Sequence, residues 1–261
     1  MGIVEVNGTS LFVRDEGKGP VALFVHGYPL DHTMWLDQIA GLSKDRRCVA
    51  PDLRRYGGSA ADASPSLTME LLAADLEALI HELDSGPVDL IGLSMGGYVA
   101  LALWESAPGL IRSLTLANTR SGADSEAGRA KRDASIAGVI ADGRQALSSA
   151  MVGGLLGPSP SADATARLRT MIEGTRYETI VATLRGMRDR KDRTSMLSTI
   201  TVPTLVVGSS DDKVIPAEDI AALADGISDS RTVIIDGAGH LPPIEQPEAM
   251  TRALGEFLGA R

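Results

Sequence analysis

Val88-Asp89-Leu90-Ile91-Gly92-Leu93-Ser94-Met95-Gly96-Gly97-Tyr98-Val99-Ala100-Leu101-Ala102-Leu103-Trp104 is the stretch on which the reading of this chain turns. Residues 88–92 form a short apolar run with the length and character of a buried strand, and residues 98–104 form a run free of Gly and Pro that suits a helix. Between them stands Gly-x-Ser-x-Gly. So abrupt a turn from strand to helix strains the serine backbone, and a glycine two places before and after lets the two elements approach without Cβ clashes. The same turn leaves the Ser94 hydroxyl at the helix N-terminus, where backbone N–H groups favour developing negative charge. The pentapeptide alone is a weak signal, since 22 Ser and 28 Gly in 261 residues give about 0.25 matches by chance. Its setting makes it strong, and Ser94 is read as a nucleophile on a sharp elbow.

Working outward, residues 21–25, 48–51 and 114–117 are further strand candidates before and after the elbow, and 203–207 and 232–235 read as two more buried strands near the end. Residues 68–83 carry Leu71, Leu72, Leu76, Leu79, Ile80 and Leu83 at helical spacing, with Asp75, Glu77 and Glu82 expected on the wet side. A closing helix is expected over 248–258, just after Pro247. Alternating strands and helices imply a mostly parallel sheet. Over residues 119–200 the strand signal disappears, and Ala, Arg, Met and Leu recur at helical spacing, with breaks expected near Gly153-Gly154 and Pro158 to Pro160. The expected organisation is a core made of 1–118 and 201–261, with 119–200 as a helical cap lying over an edge of the sheet.

Composition narrows the function classes. Length permits one core or two. The chain is 44% hydrophobic and 23% charged, and Lys+Arg 25 against Asp+Glu 34 gives −9, with only short mixed runs such as Arg185 to Arg193. No nucleic-acid footprint is expected from such a balance. The single Cys48 cannot form an internal disulfide and is read as a buried, inert thiol. Residues 1–10 show no signal-peptide pattern, and no run of about 18 apolar residues occurs, so a cytoplasmic protein without membrane spans is expected. Association into a homo-oligomer stays open.

Three of the strand candidates are followed by loops that could serve the elbow. His26-Gly27-Tyr28-Pro29 follows residues 21–25, where a turn could aim a backbone N–H at the space above Ser94. Acyl transfer develops charge on a carbonyl oxygen and calls for two preorganised donors, for which the backbone N–H groups of Tyr28 and Met95 are the expected pair. His26 precedes the elbow at a strand end and is expected to hold its loop by hydrogen bonding, while His32 and His81 are read as solvated surface residues. His240, in Gly237-Ala238-Gly239-His240, follows residues 232–235 and is the candidate general base. The loop 208–216, with Asp211 and Asp212 adjacent, offers a carboxylate to orient it. The chain order is then Ser, Asp, His. No cluster of His and Cys has zinc spacing and no G-x-x-x-x-G-K-[ST] loop occurs, so neither a metal nor a cofactor is expected.

With these motifs assembled, the chain resembles the α/β-hydrolase superfamily over nearly its whole length, and within it the small bacterial esterase, enol-lactonase and cofactor-free haloperoxidase-like branch. The resemblance is carried by the elbow, His26-Gly27-Tyr28-Pro29, Pro51-Asp52-Leu53-Arg54 through Gly57 and Ser59, Pro203-Thr204-Leu205, and Gly237-x-Gly-His240 followed by Glu245 and Pro247. It implies an α/β-hydrolase fold: a mostly parallel eight-stranded sheet flanked by helices, with a helical cap before the last two strands. By resemblance the triad is Ser94, Asp212 and His240. Counting from Gly208 favours Asp211, whereas counting back from Pro216 and forward from Pro203 favours Asp212. Relatives with an aspartate nucleophile are disfavoured by Ser94, and those with the acid one strand earlier by Asn118, which cannot carry the charge. Arg55 departs from the glycine usual at its place. The expected activity is hydrolysis of a small carboxylic ester or lactone through an acyl-enzyme. Perhydrolysis of small acids, C–C bond hydrolysis, hydroxynitrile cleavage and non-catalytic ligand binding on the same scaffold are the alternatives.

Overall fold

The computed structural model describes residues 1–62 and 64–259, so the last two residues of the expected core segment 201–261 lie outside the described residues. Strands β3 (Val21–Val25), β4 (Arg47–Pro51), β5 (Val88–Leu93), β6 (Ile111–Ala117), β7 (Thr204–Ser209) and β8 (Ser230–Ile235) form within a residue or three of the stretches expected to form them. Two more strands precede them, β1 (Gly2–Val6) and β2 (Thr9–Glu16), joined at Asn7-Gly8. Both turn residues have positive φ, +42° and +70°, which is the requirement that makes Asn-Gly a hairpin signal. The sheet order is β1-β2-β4-β3-β5-β6-β7-β8, antiparallel at β1-β2 and β2-β4 and parallel from there on. This is the mostly parallel eight-stranded sheet that the resemblance implied.

Side chains alternate across the sheet and fill two cores. Val21, Leu23 and Val25 of β3 face one cluster, together with α2 (Met69–Glu82), α3 (Met95–Ser106) and α7 (Ala217–Gly226). Ala22 and Phe24 face the other, with α1 (Leu36–Leu42) and α9 (Pro247–Gly259). Two expectations need correcting here. Strand β8 is not buried: it is the sheet edge, and Ile234 is 51% exposed. Asp75 does not face water: it is fully buried on α2, where Arg54 grips it at 2.8 and 2.6 Å. Cys48 is buried as expected, and burial pushes its thiol up to about 12.

Between β6 and β7 run α4 (Glu126–Leu155), α5 (Ala162–Gly174) and α6 (Tyr177–Arg188). Helix α4 continues through Gly153 and Gly154, and its break falls instead at Gly143, with φ +76° and ψ 179°. The Pro158 to Pro160 break does separate α4 from α5. These helices have no hydrophobic cluster of their own among the described residues: Ile136, Ile180 and Leu184 join the first core, and Leu155, Leu168 and Ile172 join the second. They lie over the carboxyl ends of the strands, where Leu147, Met151, Leu155, Leu184 and Met187 share a cavity with Ser94 and His240. No helix among the described residues is long and apolar enough to cross a membrane.

Candidate active site

The elbow forms where β5 ends and α3 begins. Ser94 has φ +54° and ψ −114°, a backbone that an L-residue adopts only under constraint. The glycines around it are explained by close approach. A Cβ on Gly92 would lie 2.4 Å from the Gly96 carbonyl oxygen, and one on Gly96 would lie 2.2 Å from that of Val25. Strand, elbow and the end of β3 can therefore meet only as glycine backbone. Ser94 N–H donates to the Ala117 carbonyl at 2.9 Å and Thr119 Oγ1 donates to the Ser94 carbonyl at 2.7 Å, so the turn is braced by β6 and the residues after it. Met95 N–H lies in the first turn of α3, where backbone donors have no intrahelical acceptor.

The loop after β3 packs on this elbow, with a Cβ on Gly27 only 3.2 Å from Leu93 Cδ2 and 3.6 Å from Ser94 Cβ. His26, wholly buried, accepts the Leu53 N–H at Nε2 (3.0 Å) and faces the Gly27 carbonyl at Nδ1 (2.9 Å). It ties the Tyr28 loop to the Asp52 loop, as the sequence suggested. His32 departs from its expected solvated state. Its Nδ1 is 2.7 Å from Asp52 Oδ1, its ring lies 5.0 Å from that of Phe12, and its side chain is 13% exposed. Burial works against the Asp52 charge, yet His32 and the backbone N–H groups of His32 and Gly58 hold that carboxyl below its usual range. His81 is exposed.

Asp212 and His240 meet across the loops after β7 and β8. Asp212 Oδ2 lies 2.8 Å from His240 Nδ1, and both side chains are nearly inaccessible. The other carboxylate oxygen accepts the backbone N–H groups of Val214 (2.7 Å) and Ile215 (3.1 Å), a local turn that aims Oδ2 at the ring. The segment is thus a turn. Asp211 points elsewhere, accepting from Ser210 Oγ at 2.8 Å. A carboxylate only accepts, so Nδ1 of His240 is the donor in this contact, and in the neutral ring the lone pair is then on Nε2; His240 lines one cavity with Ser94. The His240 loop is held on three sides. Leu155 at the end of α4 accepts its N–H at 2.7 Å, Glu245 accepts from Gly157, Gly239 and Leu241, and Asn118 Nδ2 donates to the carbonyls of Gly239 and His240.

The cavity, about 360 Å³, is also lined by Tyr28, Tyr98, Arg120, Arg132, Lys213 and Val214. Sequence reading did not find the arginines or the bracing role of Asn118, because each is an isolated residue far along the chain from Ser94. Arg55 is absent from the lining. Its φ of +72° explains why a glycine suits the position, and its side chain runs away to the Ser64 carbonyl at 2.8 Å. Met171 of α5 does not line the cavity and packs in the second core. Chemically, a hydroxyl on a strained turn, an imidazole with a free Nε2 and unpaired helix N–H groups can together support attack on a carbonyl.

Comparison with known proteins gives the family and the fold. An alpha/beta hydrolase family model matches residues 22–253. A thermophilic esterase from Thermogutta terrifontis, solved with malate bound, superposes with a TM-score of 0.95 at 35% identity, covering 100% of this chain and 99% of that one. A Mycobacterium tuberculosis protein that carries a non-heme bromoperoxidase name is 30% identical over 96% of this chain and 98% of its own length. The 3-oxoadipate enol-lactonase 1 of Acinetobacter baylyi is 27% identical over 98% of this chain and 96% of its own. Strand order, elbow and family match converge, and the chain belongs to the alpha/beta hydrolase family.

Proposed function

We propose that the protein is a serine hydrolase of small carboxylic esters or lactones, with residues 1–118 and 201–261 as its core and 119–200 as a cap over the site. The observation that carries the reading is the buried 2.8 Å contact of Asp212 with His240, on the wall of the same cavity that Ser94 lines from its strained elbow. In the proposed cycle His240 Nε2 takes the Ser94 proton as Oγ attacks the carbonyl carbon, and Asp212 stabilises the imidazolium. The backbone N–H groups of Tyr28 and Met95 receive the negative charge on the carbonyl oxygen. The protonated His240 then gives its proton to the leaving alcohol, and water activated by the same ring cleaves the acyl-enzyme. The esterase and the enol-lactonase among the relatives support carbonyl chemistry of this kind.

Ser94→Ala should abolish both covalent labelling by a fluorophosphonate and nearly all hydrolysis of a nitrophenyl ester, with circular dichroism unchanged. Retention of more than about a tenth of the wild-type rate would show that Ser94 is not the nucleophile. The bromoperoxidase name of one relative keeps a second reading in view, in which peroxide replaces water as acceptor of the acyl group. Peracetic acid formation from acetate, measured beside ester hydrolysis, separates the two.

A further inference from the structure

The cavity over Ser94 runs against the charge of the chain. The sequence totals −9, yet among the described residues the lining includes three cations, Arg120, Arg132 and Lys213, and no carboxylate; Arg120 is paired outside the lining with Asp219 at 3.3 Å. Arg132, on α4, is fixed through Nε, which lies 2.9 Å from Asp124 Oδ2. The other oxygen of Asp124 is 2.7 Å from the buried Arg190, so one negative charge is shared by two positive ones. Arg190 is fully engaged, donating to the Gly122 and Met187 carbonyls and lying 4.3 Å from the centre of the Tyr98 ring. Arg132 is engaged through Nε alone, and its terminal nitrogens donate to no protein acceptor among the described residues.

Tyr28 supplies an independent observation. Its hydroxyl is buried and has no partner, although its side chain lines the same cavity. Burial pushes the phenol well above its ordinary range, and the nearby charge of Arg132 pulls the other way. The group stays protonated and is a hydrogen-bond donor waiting for an acceptor. A buried donor left unpaired is costly, and few native side chains are left so without a reason.

We propose that Arg132 and Tyr28 form a carboxylate subsite beside Ser94, so that the esters or lactones cleaved here carry a free carboxylate. The proposal rests on the serine-hydrolase reading for the reaction, though not for the binding. A guanidinium edge pairs with a planar carboxylate through two parallel N–H donors, and the phenol can add a third. The apolar part of the lining, Leu147, Met151, Leu155, Leu184 and Met187, suits a hydrocarbon chain between that carboxylate and the scissile carbonyl. A neutral ester would leave these donors unpaired, which is how a polar site discriminates most strongly.

Two matched pairs test this. Mono-4-nitrophenyl glutarate against its methyl ester places the carboxylate on the acyl side, and 4-acetoxybenzoate against its methyl ester places it on the alcohol. The charged member should be preferred in kcat/KM by about tenfold or more in at least one pair. That preference should shrink as salt rises and should fall about tenfold in Arg132→Gln. Tyr28→Phe removes a single oxygen while keeping the backbone N–H, and should lower the preference at least about threefold, which keeps the test decisive if Arg132→Gln does not fold. No preference for the charged member in either wild-type pair, or a preference that survives the substitutions, overturns the subsite. Failure to hydrolyse any ester would strike the reaction instead. Binding is then read separately by calorimetric titration of monomethyl glutarate, whose Kd should weaken about tenfold or more in Arg132→Gln, and equal affinities would refute the subsite.

Discussion

His26 has opposite partners on its two ring nitrogens, and they dictate its charge. Nε2 accepts from Leu53 N–H and Nδ1 must donate to the Gly27 carbonyl, so only the neutral ring satisfies both. Burial pushes its pKa below the ordinary value, with the nearby carboxylates opposing. The unfolded chain, titrating near about 6.5, then binds the proton first on acidification. The stability this residue contributes is complete above that pH and is lost progressively below it, towards the lower folded value. His26→Gln cannot titrate, so its melting temperature should decline less steeply than that of the wild type between pH 7 and 5, and parallel curves by calorimetry would refute this. Asp212 offers the parallel case of a carboxylate aimed by its own backbone turn. Asparagine there would keep the shape but favour the wrong imidazole tautomer. We expect kcat to fall at least about tenfold further in Asp212→Asn than in Asp211→Asn, and the reverse order in steady-state assays would assign the acid to Asp211.

At the scale of elements, the inserted helices divide their work. Met151 and Leu155, both from α4, line the cavity, whereas Met171 of α5 is buried beside Leu168 and Ile172. Truncation should therefore act differently on the two groups. Met151→Ala or Leu155→Ala should shift the ratio of kcat/KM between short and long acyl esters, because each enlarges the cavity. Met171→Ala should leave that ratio near the wild-type value and lower the unfolding free energy by about 2–5 kcal/mol, the cost of a core cavity. A graded nitrophenyl ester panel with urea titration of each variant checks both statements, and an unchanged panel for Met151 and Leu155 would remove these helices from substrate selection.

For the whole molecule, the buried ion pair behind the Asp52 loop joins three distant segments. Arg54 meets Asp75 of α2, Asp62 and the Asn7 carbonyl of the first hairpin, and Asn7 Nδ2 donates back to Asp75 at 2.8 Å. Removing one member strands the other in the interior. Asp75→Ala should cost about 3–5 kcal/mol in denaturant unfolding with the transition remaining cooperative, and a loss below about 1 kcal/mol would show that water or Asp62 compensates Arg54.

The elbow was legible because its requirements are local: a strand, a turn that excludes Cβ atoms at Gly92 and Gly96, and a helix adjoin within about seventeen residues of sequence. The same holds for the strands of the sheet interior, whose burial on both faces writes continuous apolar runs. Strand β8 and Asp75 were misread because burial depends on neighbours from elsewhere in the chain: the edge of the sheet in one case, Arg54 in the other. For the same reason, only the tertiary structure decided which of two adjacent aspartates meets His240, and which helical residues share a cavity with Ser94. Periodicity reports the face of an element, but the partner that face meets is set by how distant segments pack, and the placing of Arg132 and Tyr28, about a hundred residues apart, on the lining of one cavity is written in no local pattern.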